Sequence, residues 1–213
     1  MIRHPVWIAA VAGLLSLTAT VAVAWESEVA DLERRWERIT TERPEDERRE
    51  AFERLAEEAA ALVDAHPQAA EPRVWYGIIE ASHARERSGL GALDSAKKAR
   101  AALEEAVELD ADGNDGSAYV TLGALYDRAP GWPLGFGDEE TAEAMFEKAL
   151  AIRPEGIDVN YYYAAFLAEE GRSEAAREHA ERAERAVAGE VREGREGSDA
   201  ALRERARELL SRL

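Results

Sequence analysis

Residues 117–156 read SAYVTLGALYDRAPGWPLGFGDEETAEAMFEKALAIRPEG, and this stretch decides the fold. Apolar side chains at helical spacing predict two amphipathic helices, one on each side of a loop rich in proline and glycine. The residues on the two apolar faces are Tyr119, Leu122, Gly123 and Tyr126 in the first helix and Ala142, Phe146 and Ala149 in the second. Pro154 then ends the second helix. The loop Pro130–Asp138, PGWPLGFGD, is longer than two paired helices need.

The order of residues in this stretch is similar to the signature of tetratricopeptide (TPR) repeats, in which a large residue, Leu-Gly and Tyr precede Ala, an aromatic residue, Ala and Pro. This resemblance implies an all-α solenoid built from helix-turn-helix pairs. Packing gives the main positions a physical reason. Gly123 lets the second helix approach closely, and Phe146 fills the space between neighbouring units.

The small-large-small stripe of the second helix recurs along the chain. Its last members are Leu62, Ala106, Ala149 and Ala183, with spacings of 44, 43 and 34 positions. A TPR unit has 34 residues, so the two longer spacings indicate inserts at equivalent places. The inserts are Glu86–Asp94, expected to be a loop, and Arg128–Thr141, and we expect both at one edge of the solenoid.

The remaining boundaries follow from composition. We predict three to four helix pairs across residues 25–187, a loop at 188–197 and a C-terminal helix at 198–213 with Ser198 as its N-cap. The apolar stripe of that last helix is typical of a cap on the final repeat, which solenoids require. A subunit contact is the alternative.

The first 24 residues differ from the rest. Arg3 and His4 precede an uncharged run, Val6 to Ala24, that ends in Ala-Val-Ala. This pattern is typical of a secretory signal peptide cleaved after Ala24. The run is also about long enough to span a bilayer, so an uncleaved inner-membrane anchor is the alternative. The basic start places the rest of the chain outside the cytoplasm in both cases, and we expect a periplasmic or otherwise exported protein.

Composition excludes several classes of function. The chain of 213 residues contains no cysteine, which excludes disulfides, a thiolate metal site, a cysteine nucleophile and a lipidated N-terminal cysteine. Acidic residues outnumber basic ones by 44 to 27, and the formal charge is −17. A charge of this sign disfavours nucleic acid and anionic membranes as partners. The simplest interpretation of this negative charge is that it keeps the protein soluble.

The sequence shows no arrangement typical of an active site. It has four histidines, and no two stand at metal-ligand spacing: His4, His66, His83 and His179. Asp110–Gly116 is rich in Asp and Gly, but Asp115 and Thr121 stand where a calcium-binding EF-hand requires Gly and Glu. The Gly135–Gly137 stretch lacks the Lys-Ser/Thr of a phosphate loop. We therefore predict a non-enzymatic protein without metal or cofactor. A carboxylate pair hidden among the surface acids is the enzymatic alternative.

Aromatic residues are the best candidates for a binding surface, because Tyr and Trp are enriched at energetically important interface positions. Apolar side chains in the Pro130–Asp138 loop need either a partner or burial, so the alternative is that the loop folds back and fills space. The three consecutive tyrosines cannot share one helix face, so at least one should reach solvent or the inner groove. The predicted binding residues are Trp75, Tyr126, Trp132, Pro133, Phe136, Tyr161, Tyr162 and Tyr163.

Two segments, APGWPLGFGDEETAEAMFEKAL and IDVNYYYAAFLAEEGR, are similar to TPR proteins related to the T-component of TRAP transporters. The resemblance covers roughly residues 55–187. It implies a periplasmic helper that binds a solute-binding protein and forms a trimer with a hydrophobic ligand path. This chain lacks the lipoprotein cysteine that many members use for attachment.

From these observations we expect a periplasmic protein-binding scaffold, in the manner of a TRAP T-component, whose partner is a solute-binding protein and which can form a homo-oligomer. Two alternatives stay open. One is a carrier of a small apolar molecule inside the solenoid, and the other is a general scaffold for assembling envelope complexes.

Overall fold

A computed structural model of the chain describes residues 12–186 and 191–213, with side chains from residue 25 onward. Within these ranges the regular secondary structure is helical, and the helices are α1 (Ala12–Glu42), α2 (Glu45–Ala65), α3 (Ala70–Arg85), α4 (Gly89–Leu109), α5 (Ser117–Arg128), α6 (Glu139–Ile152), α7 (Ile157–Glu169), α8 (Ser173–Arg185) and α9 (Glu196–Leu210). The prediction of an all-α fold is confirmed.

The expected signal peptide is described only in part. Residues 1–11 are not among the described residues, and residues 12–24 are described by their backbone alone, as the start of α1. None of the helices in the described part of the chain combines the length and the apolar character needed to cross a membrane. Residues 187–190 also lie outside the described ranges. They include the first three residues of the expected loop at 188–197.

Prolines and short turns set the helix boundaries. Pro44 occupies the N-cap of α2, where its fixed backbone cannot continue α1. The helix α2 ends at Ala65, just before His66 and Pro67. Asp138 caps α6, because its Oδ1 accepts the backbone N–H of Thr141 at 2.8 Å. The helices contact their sequence neighbours in pairs: α1 with α2, α3 with α4, α5 with α6, and α7 with α8.

The pairs stack into a curved array. The first helices of successive pairs, α1, α3, α5 and α7, contact one another, whereas extended contacts between second helices do not occur in the described part of the chain. The first helices therefore form the inner row of the array. The last helix, α9, packs on α7 and α8 and also touches α1. It covers the last repeat, as the cap interpretation predicted, and brings the end of the chain back to its beginning.

Two glycines allow the closest helix approaches. A methyl group added at Gly123 would lie 2.7 Å from the ring of Phe146, which is 1% exposed. A methyl group at Gly77 of α3 would lie 2.5 Å from Leu103 Cγ of α4. The packing that the sequence indicates for Gly123 and Phe146 is therefore present, and the preceding pair repeats it with Gly77 and Leu103.

The segment Glu86–Asp94 is helical over most of its length, so the expectation of a loop there is wrong. Only residues 86–88 connect α3 to α4, and the additional residues lengthen α4 to 21 residues. The physical reason is that Leu90, Ala92 and Leu93 are good helix formers, which outweigh the two glycines beside them.

The N-cap assignment of Ser198 is also wrong, because α9 begins two residues earlier, at Glu196. The Oγ of Ser198 donates to the carbonyl oxygen of Arg195 at 3.0 Å. Its backbone N–H donates to Glu37 Oε1 of α1 at 2.8 Å. A carboxylate from the other end of the chain thus satisfies a backbone group that local capping would otherwise serve.

The two inserts lie at one edge of the array, as expected. Leu93 Cδ1 of α4 is 3.3 Å from the position that a methyl group on Gly135 would take. The guanidinium carbon of Arg100 lies 4.5 Å from the centre of the Phe136 ring. The start of α4 therefore forms the wall against which the Pro130–Asp138 loop rests.

The close approach at Gly123 predicts that Gly123→Ala lowers the free energy of unfolding by about 1 kcal/mol. Alanine gains up to about 1 kcal/mol in helix propensity, but overpacking against Phe146 costs about 1–3 kcal/mol. Urea unfolding followed by circular dichroism measures the difference. The matched control is Gly91→Ala in α4, whose methyl group would meet only the flexible end of Arg87, at 2.6 Å. Equal stabilisation by both substitutions would contradict the packing argument.

Candidate functional site

The loop between α5 and α6 has a backbone held by its own hydrogen bonds. The N–H of Gly137 donates to the Pro130 carbonyl at 2.9 Å, and the N–H groups of Leu134 and Gly135 donate to the Gly131 carbonyl at 3.1 Å each. The N–H of Asp138 donates to the carbonyl of Tyr126 at 3.0 Å, which ties the loop to α5. These bonds give the loop a defined shape.

Glycine is required inside this loop. A methyl group on Gly137 would lie 2.0 Å from the carbonyl oxygen of Ala129, and one on Gly135 would lie 2.4 Å from that of Pro130. Backbone atoms cannot move aside as a flexible side chain can. The shape of the loop therefore depends on these two positions.

The inner side of the loop packs on the solenoid through Phe136. Its ring meets the ring of Tyr126 edge to face, with the centres 5.6 Å apart, and Arg100 covers its face. The Tyr126 hydroxyl donates to Glu104 Oε1 at 2.6 Å. Burial, followed by the hydrogen bond to Glu104, raises the pKa of Tyr126 to about 12. Phe136 and Tyr126 thus anchor the loop, as the fold-back alternative predicted for it.

The outer side of the loop projects into solvent. Trp132 is 89% exposed and Leu134 is 74% exposed, and Pro133 between them is exposed as well. We call Trp132, Pro133 and Leu134 the apolar tip. Leu90, which is 86% exposed, lies on α4 one turn before Leu93, the residue that approaches the loop. The apolar tip and Leu90 therefore lie at the same edge of the array, and their side chains are exposed to solvent.

The surroundings of the apolar tip are acidic. Asp138, Glu139 and Glu140 follow the loop directly and are exposed. The hydrogen bond from Thr141 lowers the pKa of the Asp138 carboxyl, so this group stays ionised at neutral pH. Arg128 before the loop pairs with Asp127 and Glu169 at 2.9 and 3.2 Å.

The three tyrosines of α7 lie apart from the loop and differ among themselves. Tyr163 is 6% exposed, and its hydroxyl donates to Glu143 Oε1 at 2.9 Å. Burial is the main cause that raises its pKa to about 12. The rings of Tyr161 and Tyr162 are half-buried, with centres 5.2 Å apart, and the Tyr162 hydroxyl accepts a hydrogen bond from Arg85 at 3.4 Å. Tyr163 is therefore part of the core, and its two neighbours are partly accessible.

Trp75 lies in the core, where a partner cannot reach it in this conformation. It is 2% exposed, and its ring meets that of Trp36 at 6.0 Å. The guanidinium carbon of Arg195 lies 5.3 Å from the Trp75 ring centre. Of the predicted binding residues, the loop brings together Tyr126, Trp132, Pro133 and Phe136, and it leaves Trp75 and the α7 tyrosines elsewhere.

Sequence reasoning did not select Leu134 and Leu90 as binding residues. A signal was present for both, since each is a large apolar residue beside glycine, in Leu134-Gly135 and Gly89-Leu90-Gly91. Arg192 and Arg195 gave no signal, because their segment is polar and contains glycine, which is typical of a loop.

Other chemistry has little support in the described residues. A cleft of about 850 Å³ lies between the start of α2 and the α3–α4 turn, and charged residues such as Asp46, Arg49 and Arg85 line it. This lining does not suit an apolar ligand. In the Asp110–Gly116 turn, the carboxylates of Asp110 and Asp112 accept backbone N–H groups at 3.1 Å each, so they shape the turn. No metal-holding group of three His, Asp or Glu residues occurs in the described ranges.

Comparisons with known proteins agree with this architecture. The family model for the tetratricopeptide repeat matches residues 134–193. Among solved structures, the chain is similar to a thermophilic TPR protein of Thermus thermophilus, with 16% identity and a TM-score of 0.56 over 78% of this chain and 91% of that chain. The crystal structure of MamA has 16% identity and a TM-score of 0.49, covering 76% of this chain and 90% of that one. A search of curated proteins finds no match.

The fold is therefore a TPR-type solenoid, as the sequence predicts. TPR domains generally bind protein partners and are generally non-enzymatic scaffolds. Solenoids of this kind present extended surfaces on a stack of repeats, which suits protein recognition.

The two sides of the loop predict different costs of truncation. Phe136→Ala should lower the free energy of unfolding by about 2 kcal/mol, because a half-buried ring loses its contacts with Tyr126 and Arg100. Trp132→Ala should change it by less than about 0.5 kcal/mol, since the indole is 89% exposed and folding does not depend on its burial. Urea unfolding of the two variants measures both values. A similar loss in both would show that the apolar tip is structural.

Proposed function

We propose that the protein is a non-enzymatic scaffold that binds another protein through the apolar tip of the Pro130–Asp138 loop. The observation that carries this proposal is the 89% exposure of Trp132 on a loop whose backbone is fixed. An indole held in water contributes nothing to folding, and Trp is the residue type most enriched among interface hot spots. The TPR-type fold supports a binding role for the whole domain.

The fixed shape of the loop favours tight binding. A flexible loop loses conformational entropy when it binds, at about 0.5–1.5 kcal/mol for each immobilised rotamer-rich side chain. Here Gly135, Gly137 and the hydrogen bonds to Gly131 and Pro130 order the backbone before any partner arrives. The chain bears this cost during folding, so more of the contact energy of Trp132 becomes affinity.

The apolar tip and its surroundings indicate the kind of surface that fits it. The partner needs an apolar pocket for Trp132 and Leu134. Its rim should be neutral or basic, because the acidic residues Asp138, Glu139 and Glu140 are exposed beside the apolar tip. A rim of this sign also agrees with the formal charge of −17.

In its finer form, the proposal is an exported accessory of solute uptake, similar to the T-component of TRAP transporters. Two features of the sequence support it: the signal-peptide pattern of residues 1–24 and the resemblance of the loop and α7 segments to that family. The partner would then be a periplasmic solute-binding protein. A second copy of the chain on the same apolar tip would make the homo-oligomer.

Site-specific cross-linking in the native host tests this proposal. A photoreactive residue at position 132 should yield one dominant cross-linked protein, whereas the same group at position 109 should not. Leu109 is the matched control, because it is 43% exposed and lies at the far end of α4. Trp132→Ala with Leu134→Ala should reduce capture of that protein at least tenfold, since a lost hot spot costs about 2 kcal/mol or more.

The identity of the captured protein separates the alternatives. A solute-binding protein supports the transport role, envelope-assembly proteins support a general scaffold, and a second copy of the chain supports the homo-oligomer. Unchanged capture by the double variant would exclude the apolar tip as the binding surface. Circular dichroism of the double variant, expected to match the native spectrum, keeps a folding defect apart from a binding defect.

A further inference from the structure

One short segment of the chain runs across the inner row of helices. Arg192 Nη1 donates to Asp158 Oδ2 of α7 at 2.7 Å. The guanidinium carbon of Arg195 lies 4.4 Å from the ring centre of Trp36 in α1 and 5.3 Å from that of Trp75 in α3. Residues 191–199 therefore occupy the inner face of the solenoid from the last repeat back to the first two.

The surface beneath this segment has the chemistry of an arginine-binding site. Trp36 and Trp75 present their rings to one guanidinium, and such planar cations stack well on aromatic faces. Carboxylates face the same segment. The charges of Glu33 on α1 and Asp158 on α7 interact with that of Arg195, and Glu37 on α1 accepts the backbone N–H of Ser198 at 2.8 Å. Burial raises the pKa of Glu33, and the nearby charges of Arg195 and Arg192 oppose this shift. Aromatic and acidic groups thus meet at one place.

The second arginine fits a separate part of the same surface. Asp158 is buried and accepts from Arg192 and, at 2.5 Å, from Arg153 of the α6–α7 turn. Burial tends to raise the pKa of Asp158, but these guanidinium groups lower it overall. Arg153 also pairs with Asp115 at 3.4 Å, so two carboxylates share its single positive charge and Arg192 supplies a second one. Arg192 thus contacts Asp158, and Arg195, three positions later, contacts the two tryptophans.

The segment 191–199 leaves part of the hydrogen-bonding capacity at this site unused. Arg195 is 8% exposed, yet its Nε has no hydrogen-bond partner, and burial lowers its pKa to about 10. The Oε2 of Glu37 also lacks a partner. A buried charged group without full pairing opposes folding, and apolar residues of similar volume would serve a purely structural role at least as well.

We propose that the inner face is a binding site for a basic protein segment with two arginines three positions apart, and that residues 191–199 of the chain occupy this site until such a segment displaces them. The proposal is independent of the apolar tip at the outer edge. It gives the protein a second binding surface, which residues 191–199 of the same chain cover. The segment is preformed for this role, because the Arg192 backbone N–H and guanidinium both bind the Asp199 carboxylate.

Displacement of residues 191–199 from the inner face is measured with an added peptide that competes for the same site. The probe is a labelled synthetic peptide of residues 191–203, and its binding to the full chain is followed by fluorescence anisotropy. In the native chain the tethered segment competes at an effective concentration of the order of millimolar. The full-length double variant Arg192→Ala/Arg195→Ala should therefore bind the peptide at least tenfold more tightly than the native chain does. The control peptide carries Arg192→Gln and Arg195→Gln, and it should bind neither protein.

Two results would overturn the proposal. One is a folded double variant that does not bind the peptide, and the other is equal binding of the control peptide. If circular dichroism shows that the double variant is unfolded, native-state hydrogen exchange of the unmodified chain decides. The amides of Arg192 and Ser198, which donate to Asp199 and Glu37, should be protected at least tenfold less than amides in the middle of α3. Equal protection would place the segment in the cooperative core and exclude displacement.

Discussion

The close contact between the two helices of a pair is the constraint on which the rest of the structure depends. At Gly123 and Gly77 the partner side chain, Phe146 or Leu103, occupies the space that a methyl group would need. Helices this close form a flat pair whose first helices stack on one another, and the stack curves around them. The last helix, α9, packs on α7 and α8 and also contacts α1. The inner face and the outer edge, where both candidate surfaces lie, therefore follow from the packing of a few small residues.

The same constraint explains the loop. The space between α5 and α6 is filled by Phe146, so the inserted residues cannot enter the pair and must lie on its edge. The start of α4 offers a wall there, and Phe136 packs against Tyr126 and Arg100. A loop of this size has one inner side, and the residues opposite Phe136 face water. The exposure of Trp132 is thus a consequence of where the insert can lie. Packing in the described part of the chain does not explain a large apolar side chain at this position, which is why a partner is inferred.

Residue spacing in the sequence predicted the features that depend on neighbouring residues in the chain. The helical spacing around Gly123 and Phe146 defined one pair, and the spacings of 44 and 43 positions located both inserts at one edge. The state of Glu86–Asp94 was missed, because two glycines suggest a loop although the residues between them favour a helix. The contact of Trp75 with Arg195 was beyond the reach of spacing, since the two residues are about 120 positions apart. The core position of Tyr163 likewise depends on Glu143 of the neighbouring pair.

The apolar tip and the inner face differ in whether their large side chains can remain exposed to water. The apolar tip leaves Trp132 in water, an arrangement that is stable without a partner because folding does not require its burial. The inner face cannot remain open in the same way: two tryptophans and several carboxylates in a concave surface would leave apolar rings hydrated and like charges adjacent. An occupant with positive charge and flat guanidinium groups relieves both problems. The chain supplies one of its own, in which Arg192 forms an ion pair with Asp158 and the Arg195 guanidinium lies over the Trp36 ring. Because Arg195 lacks a full set of hydrogen bonds, a segment that pairs better at this position can replace it.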